Sequence, residues 1–187
     1  MSPTPMPVPW ETRTDSVVWS SADLRNLVAF TRTGIEGWRD GAKVGDHPWE
    51  RVSDLHVKVP YSSRRTVSAL TVLDMLSPRS SEFSAGEVEI AFSARFDVVR
   101  WTLVPHETYH WRLQFVLDDL IRVLAPDFSP LGVPGLLDDV VGRVWPQLRP
   151  HSRLLLYTDL LGLDRFLGGH GAHDAEVRAI VHQHGSR

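Results

Sequence analysis

The sequence contains no cysteine, only two lysines and no long hydrophobic run. The absence of cysteine excludes disulfide bonds, a thiolate nucleophile and every cysteine-ligated metal site, so any metal would need His, Asp or Glu as ligands. The unbroken apolar segments span only a few residues, far short of a bilayer-spanning helix. The amino terminus also lacks the basic and apolar regions of a signal peptide, so we expect a cytoplasmic protein without a membrane partner.

The charge of the chain is nearly balanced, with 20 basic and 23 acidic residues and a net charge of −3. Such a balance argues against nucleic acid as a partner. A chain of 187 residues is long enough to bury one sizeable core. We therefore expect a Pro-rich flexible arm over residues 1–12 and a single α+β domain over 13–187, whose oligomeric state the composition leaves open.

The spacing of apolar residues predicts helices and strands in separate parts of the chain. A serine-capped helix is expected from about Ala22 to Thr31, followed by a glycine-rich loop that carries Trp38 and Trp49. Alternation predicts strands at about 55–59, 66–75, 88–94 and 99–103. Helical periods predict helices at about 106–124, 136–144, 153–167 and 174–184. The predicted fold class is α+β: an N-terminal helix, a small three- or four-stranded sheet, then a largely helical C-terminal half.

One motif carries specific chemistry: His106-Glu107-Thr108-Tyr109-His110, an H-E-x-x-H pattern at the start of a predicted helix. Residues four apart on a helix lie on the same face, so His106 and His110 could bind one zinc ion. Glu107 would then act as the general base that activates the metal-bound water. Helical phase also places both imidazoles on the apolar face of that helix. The motif therefore predicts a zinc-dependent metallohydrolase.

This motif resembles that of the zincin metallopeptidases, and the expected order of sheet, motif helix and further helices agrees with that resemblance. The segment Arg100-Trp101-Thr102-Leu103, shortly before the motif, is similar to the repressor-cleaving ImmA/IrrE type. The resemblance implies a peptidase that acts on a protein or peptide substrate. Two features depart from the family pattern. Pro105 places the motif in the first turn of its predicted helix, and no later glutamate stands at the family spacing.

A third zinc ligand would have to come from the C-terminal part of the chain. Asp164 is one candidate, because Leu161-Gly162-Leu163-Asp164 is similar to part of the aspartate signature of one zincin branch. Glu176 is the other candidate, because it is the only glutamate after the motif. It belongs to a cluster at a glycine turn that also contains His170, His173 and Asp174. A solvated, frayed C-terminus explains the same cluster without any metal.

Two alternatives to catalysis remain open at this point. Glu107 follows Pro105 at a position that suits a helix-capping carboxylate, and the two histidines could be hydrogen-bonded core residues. The chain also has seven tryptophans, and several of them fall in or near predicted loops: Trp10, Trp19, Trp38 and Trp49. Exposed aromatic loops, together with a sheet edge, would suit a non-catalytic module that binds another protein.

Overall fold

The computed structural model describes residues 7–60, 86–95, 97–147 and 173–185. In these ranges the chain forms two antiparallel β-sheets, followed by helices. The first sheet has five strands in sequential order: β1 (Trp10–Thr12), β2 (Ser16–Ser20), β3 (Asn26–Thr31), β4 (Gly34–Arg39) and β5 (Ala42–Pro48). The second sheet has three: β6 (Val52–Lys58), β7 (Val88–Ala94) and β8 (Asp97–Leu103).

Helices follow the second sheet in the described part of the chain. The α-helices there are α1 (Trp111–Leu124), α2 (Leu136–Val144) and α3 (Asp174–Gly185). Three short 3₁₀ helices join them or the strands: η1 (Trp49–Arg51), η2 (Ser129–Gly132) and η3 (Trp145–Gln147). None of the described helices has the length and apolar character needed to cross a membrane.

The predicted fold class is wrong, because the N-terminal part of the domain is a sheet and not a helix followed by a loop. The helix expected from Ala22 to Thr31 is replaced by a turn and strand β3. Strand β3 lies between β2 and β4, and Val28, Ala29 and Phe30 are all buried. A central strand that is covered on both faces has a continuous apolar run, which local periodicity cannot distinguish from a helix.

The loop expected around Trp38 and Trp49 is also replaced by regular structure. Trp38 lies in β4, which pairs with β5, and Trp49 is the first residue of η1. The glycines of this segment suggest chain breaks in the sequence, but Gly37 and Gly45 are cross-strand partners inside the sheet. Glycine at such positions permits close approach of another group to the backbone.

Other sequence predictions are confirmed where the structure describes them. The strands expected near 55–59, 88–94 and 99–103 correspond to β6, β7 and β8, and two expected helices correspond to α2 and α3. The strand expected at 66–75 and the helix at 153–167 lie outside the described residues. The last residues of the predicted arm form β1, where the Trp10 indole N–H and the Thr12 hydroxyl both donate hydrogen bonds to Asp138 of α2.

The two sheets meet where Trp101 of β8 packs against the glycine pair of the first sheet. A Cβ atom on Gly37 would lie 2.0 Å from Cζ2 of Trp101, and one on Gly45 would lie 3.7 Å from the same atom. Beside this contact, the His47 ring meets the Phe92 ring edge-on, with 5.2 Å between centroids. The indole therefore rests on bare backbone, which leaves no room for a side chain at Gly37.

The helices cover one edge of the second sheet and bind one another through charged groups. Gln114 of α1 accepts a hydrogen bond from the Val59 N–H and donates one to the Val57 carbonyl, at 2.8 and 2.9 Å. Arg122 of α1 donates to Asp174 of α3 and to the buried Asp119. These hydrogen bonds, foremost that with Asp174, raise the pKa of Arg122, so the guanidinium between α1 and α3 stays charged.

Replacing Gly37 with alanine should lower the free energy of unfolding by about 1–3 kcal/mol, because the new methyl group overlaps the Trp101 ring. Urea unfolding of the two proteins measures the difference. Gly142→Ala is a matched control, since a Cβ there meets nothing within 4 Å. In this α2 position the control should be neutral or stabilising by up to about 1 kcal/mol.

A double-mutant cycle identifies the group that opposes the methyl. In a Trp101→Leu background, Gly37→Ala should cost clearly less than in the wild type, because the overlapping ring is absent. An equal cost in both backgrounds would show that Gly37 is required for a reason other than contact with Trp101.

Candidate functional site

The H-E-x-x-H motif occupies the connection between the second sheet and the first α-helix. Strand β8 ends at Leu103 and α1 begins at Trp111, so the expectation that a helix begins at His106 is wrong. The reason is a tertiary hydrogen bond: the Tyr109 N–H donates to the Pro60 carbonyl at 3.1 Å. This pairing with the end of the β6 segment holds the backbone of the motif away from a helical path, despite Pro105 before it.

Tyr109 is the anchor of this connection, since its side chain is only 2% exposed. Burial raises the pKa of Tyr109 above the ordinary 10.0, and the nearby negative charge of Glu107 raises it further. A hydrogen bond with the backbone of His106 acts in the opposite direction. The motif segment thus wraps around a buried phenol, a residue that the metal-site interpretation treats as a spacer.

The two histidines of the motif contact different parts of the protein. His106 is exposed, and its Nε2 lies 3.3 Å from the hydroxyl of Ser20 at the end of β2. The His110 ring meets the Trp145 ring of η3 edge-on, with 4.8 Å between centroids. Glu107 is exposed in the same connection. The two imidazoles are therefore not stacked one above the other on a helix face, the arrangement from which the zinc prediction starts.

The proposed third ligands are not brought to the motif in the described structure. Glu176 lies on α3, where its carboxylate accepts a hydrogen bond from Gln147 of η3. Asp164 lies outside the described residues. Within residues 7–60, 86–95, 97–147 and 173–185, no three His, Cys, Asp or Glu side chains form a group that could hold a metal ion. The assignment of Glu107 as base, and of His106, His110, Asp164 and Glu176 as zinc ligands, stays a prediction.

The tryptophans expected in exposed loops lie mostly in strands and in the core. Trp10 and Trp19 are buried and their rings are 5.0 Å apart. Trp49 is only 6% exposed, and its indole N–H donates to the Thr31 carbonyl at 2.8 Å. Trp38 is half-buried on β4. The aromatic residues therefore build the first sheet rather than an exposed aromatic surface.

The sheet edges differ in how the rest of the described chain covers them. Strand β1 is three residues long and is tied to α2 through Asp138. Gln114 bonds to the backbone of β6, as described above. After the end of β8, the Val104 carbonyl accepts a hydrogen bond from the Ala22 N–H, and its N–H donates to Ser21. Of these contacts, those of Gln114 occupy backbone groups at the end of β6, whereas β1 is tied through side chains and the Val104 hydrogen bonds lie just beyond β8.

Strand β5 forms the other edge of the first sheet, where the described residues show no tie to a helix like that of β1. It is the last strand of the first sheet, and no described strand pairs with its outer edge. Four of its residues are exposed: Ala42, Lys43, Val44 and Asp46. Val44 retains 54% of its accessible surface. An exposed seven-residue edge is the geometry that accepts an added strand.

The two faces of β5 differ in chemistry. On the outer face, the Lys43 ammonium donates to Glu36 at 2.9 Å and to Asp46 at 2.7 Å. The hydrogen bonds with Asp46 and Glu36 raise the pKa of Lys43, so this cation persists through the neutral range. The inner face carries Gly45 and His47, which lie against Trp101 and Phe92 of the second sheet.

Two sequence features indicate that β5 is an edge strand, although the sequence analysis predicts a glycine-rich loop here. A lysine within a short polar strand, followed by Pro48, is typical of a strand at the edge of a sheet. The register of β4 and β5 shifts at Gly37 and Trp38, which leaves Val44 as the extra residue of a bulge. Sequence alternation fails at a bulge, because the residues on either side change face.

Over the described residues, the architecture is that of two antiparallel sheets followed by helices. No family model matches the sequence, and comparison with curated proteins and with solved structures gave no match. The zincin resemblance therefore remains a resemblance of the motif.

Deletion of the Tyr109 hydroxyl tests the role of the buried phenol. Because the folded pKa is raised above the unfolded value of 10.0, an unfolded chain loses this proton first as the pH rises. The free energy of unfolding should therefore be at its full value below about pH 10 and fall above it. In the Tyr109→Phe protein, the free energy of unfolding should decrease less above about pH 10. Glu107→Gln should also lessen this decrease, because it removes the negative charge that contributes to the raised pKa. Urea unfolding at several alkaline pH values measures the effect, and identical pH profiles for all three proteins would contradict it.

Zinc analysis tests the metal prediction directly. Because the two imidazoles contact different elements, we expect the His106→Ala/His110→Ala protein and the wild type to contain the same amount of zinc after purification. His56→Ala, which removes an exposed histidine of β6, is the control. About one zinc ion per chain in wild type and control, lost in the double variant, would instead establish these histidines as ligands.

Proposed function

We propose that this protein is a non-catalytic binding module that takes up an extended polypeptide segment as an added strand along β5. The observation that carries the proposal is the exposed, seven-residue edge of the first sheet. At the opposite edge of the same sheet, β1 is only three residues long and is tied to α2 through the Trp10 and Thr12 side chains. The partner is therefore a protein or peptide with a segment free to become a strand.

Main-chain hydrogen bonds would provide most of the affinity. Each such bond contributes about 0.5–1.5 kcal/mol net, and a strand opposite β5 could form several of them. The contact of the His47 ring with Phe92 packs β5 against the second sheet, so the edge is already a strand before the partner binds.

The side chains of β5 would select the partner strand. Val44 is exposed and favours an apolar group opposite it. Lys43 and Asp46 favour charges of the opposite sign at the facing positions on the outer face. The same charges discourage pairing with a purely apolar strand, which would leave both ions poorly solvated.

Selection of peptides tests the proposal without knowledge of the partner. A library of random linear peptides would be selected on the immobilised full-length protein, and the selected peptides would be titrated into the protein in solution. We expect the bound peptides to perturb the backbone amides of Ala42–Pro48 and to slow their hydrogen exchange, because these groups become paired.

A pair of valine substitutions provides the matched control. Val44→Lys places a second cation on the β5 edge and should weaken the selected peptides by about tenfold or more. Val98→Lys makes the same chemical change on β8, where Val98 is 74% exposed, and should leave binding unchanged. Peptides that perturb the His106–His110 segment, or that bind both variants equally, would refute a site at β5.

A further inference from the structure

Resting on the proposed function, we infer that the strand added to β5 is β5 of a second copy of this chain. Two copies would pair edge to edge around a two-fold axis perpendicular to the sheet. The five strands of each copy would then form one continuous sheet of ten strands. Such an interface is isologous, because the same strand supplies both halves.

A two-fold axis of this kind constrains which residues can face each other. Cross-strand partners in an antiparallel sheet lie on the same face. The outer face of one copy therefore continues as the outer face of the other. Self-pairing requires that β5 be complementary to itself, with each charged residue opposite a residue of opposite charge on the same face.

The bulge at Val44 places a positive and a negative side chain of β5 on the same face. In a regular strand, residues three apart point to opposite faces. Lys43 and Asp46 are three apart, yet their charged groups lie 2.7 Å from each other, and Lys43 also contacts Glu36 of β4. Both side chains are on the outer face because the register shift inserts one extra residue between them.

In one register, facing residues have opposite charges and lie on the same face. When the two-fold axis passes between Val44 and Gly45, Lys43 lies opposite Asp46 of the partner subunit, and Asp46 lies opposite the partner's Lys43. The same register places Ala42 opposite the partner's His47, and both of these residues belong to the inner face, as their pairing with Arg39 and Ile35 indicates. The charged pair and the inner-face pair therefore match, and Val44 lies opposite the partner's Gly45.

Neighbouring registers fail on one criterion or the other. An axis through Val44 or through Gly45 places Lys43 opposite an inner-face residue, either Gly45 or His47. An axis through Lys43 or through Asp46 places two like charges directly opposite each other, which is destabilising. Charge and face together therefore favour the axis between Val44 and Gly45 over these four alignments of β5 with itself.

The expected dimer is reversible rather than obligate. Its interface is limited to a short edge strand, which is smaller than the surface that stable complexes usually bury. Asp46 has 63% of its side-chain surface exposed and is accessible to a second ammonium group. Exposed ion pairs add little affinity, so the charges act mainly to fix register and partner.

Charge exchange between two variants tests the interface on the full-length chain. Sedimentation velocity over a concentration series should show a monomer–dimer equilibrium for the wild type. Lys43→Asp and Asp46→Lys should each weaken self-association by about tenfold or more, because each places like charges opposite each other. An equimolar mixture of the two variants should form a heterodimer of nearly wild-type affinity, since the two carboxylates of the first variant then face the two ammonium groups of the second.

The equimolar mixture of the two variants distinguishes a charge effect from a folding defect. A variant that simply unfolds cannot be restored by mixing, and the melting temperature of each single variant is measured beside it. Wild type that stays monomeric up to about 1 mM overturns the inference. A dimer that tolerates both charge changes also overturns it, because that interface lies elsewhere.

These outcomes separate the inference from the proposed function. A monomeric protein whose selected peptides still bind along β5 keeps the binding module and removes the self-partner. A monomeric protein whose peptides bind elsewhere removes both. A charge-dependent dimer supports both, and the selected peptides should then compete with dimer formation.

Discussion

The contact of the Trp101 indole with the backbone of Gly37 and Gly45 is the interaction that joins the two sheets into one core. The indole N–H is buried without a hydrogen-bond acceptor among the described residues, so the ring is held by packing and by the Arg39 guanidinium, 5.8 Å from the ring centroid. Burial of a tryptophan provides a large apolar area, but only where the opposite surface is flat enough to receive it. Two glycines paired across β4 and β5 supply that surface.

This packing also determines the character of β5. Its inner face is fixed against the second sheet by Gly45 and His47. Its outer face carries the Lys43 charge network, and its free edge is directed away from β4. The strand is therefore packed on its inner face and exposed along its free edge. Preorganised backbone groups bind an added strand without the entropy cost of first ordering the edge.

The His-Glu motif illustrates how a tertiary contact changes the meaning of a local pattern. Spacing alone places two imidazoles on one helix face, but the helix begins only at Trp111. The Tyr109 N–H bonds to Pro60, and the phenol is buried, so the segment is an extended connection between sheet and helix. The burial of Tyr109 and its hydrogen bond to Pro60 explain the shape of this segment without a metal ion.

By itself the sequence determined the strands of the second sheet and helices α2 and α3, because their apolar periods are regular and face a single core. It also determined the charge balance and the absence of cysteine chemistry. Only the tertiary structure decided the first sheet, since β3 is buried by neighbours that local periodicity does not see. The same holds for β5, where a bulge changes which side chains share a face. It holds for the motif as well, because a hydrogen bond to Pro60, distant in sequence, outweighs the local helical preference.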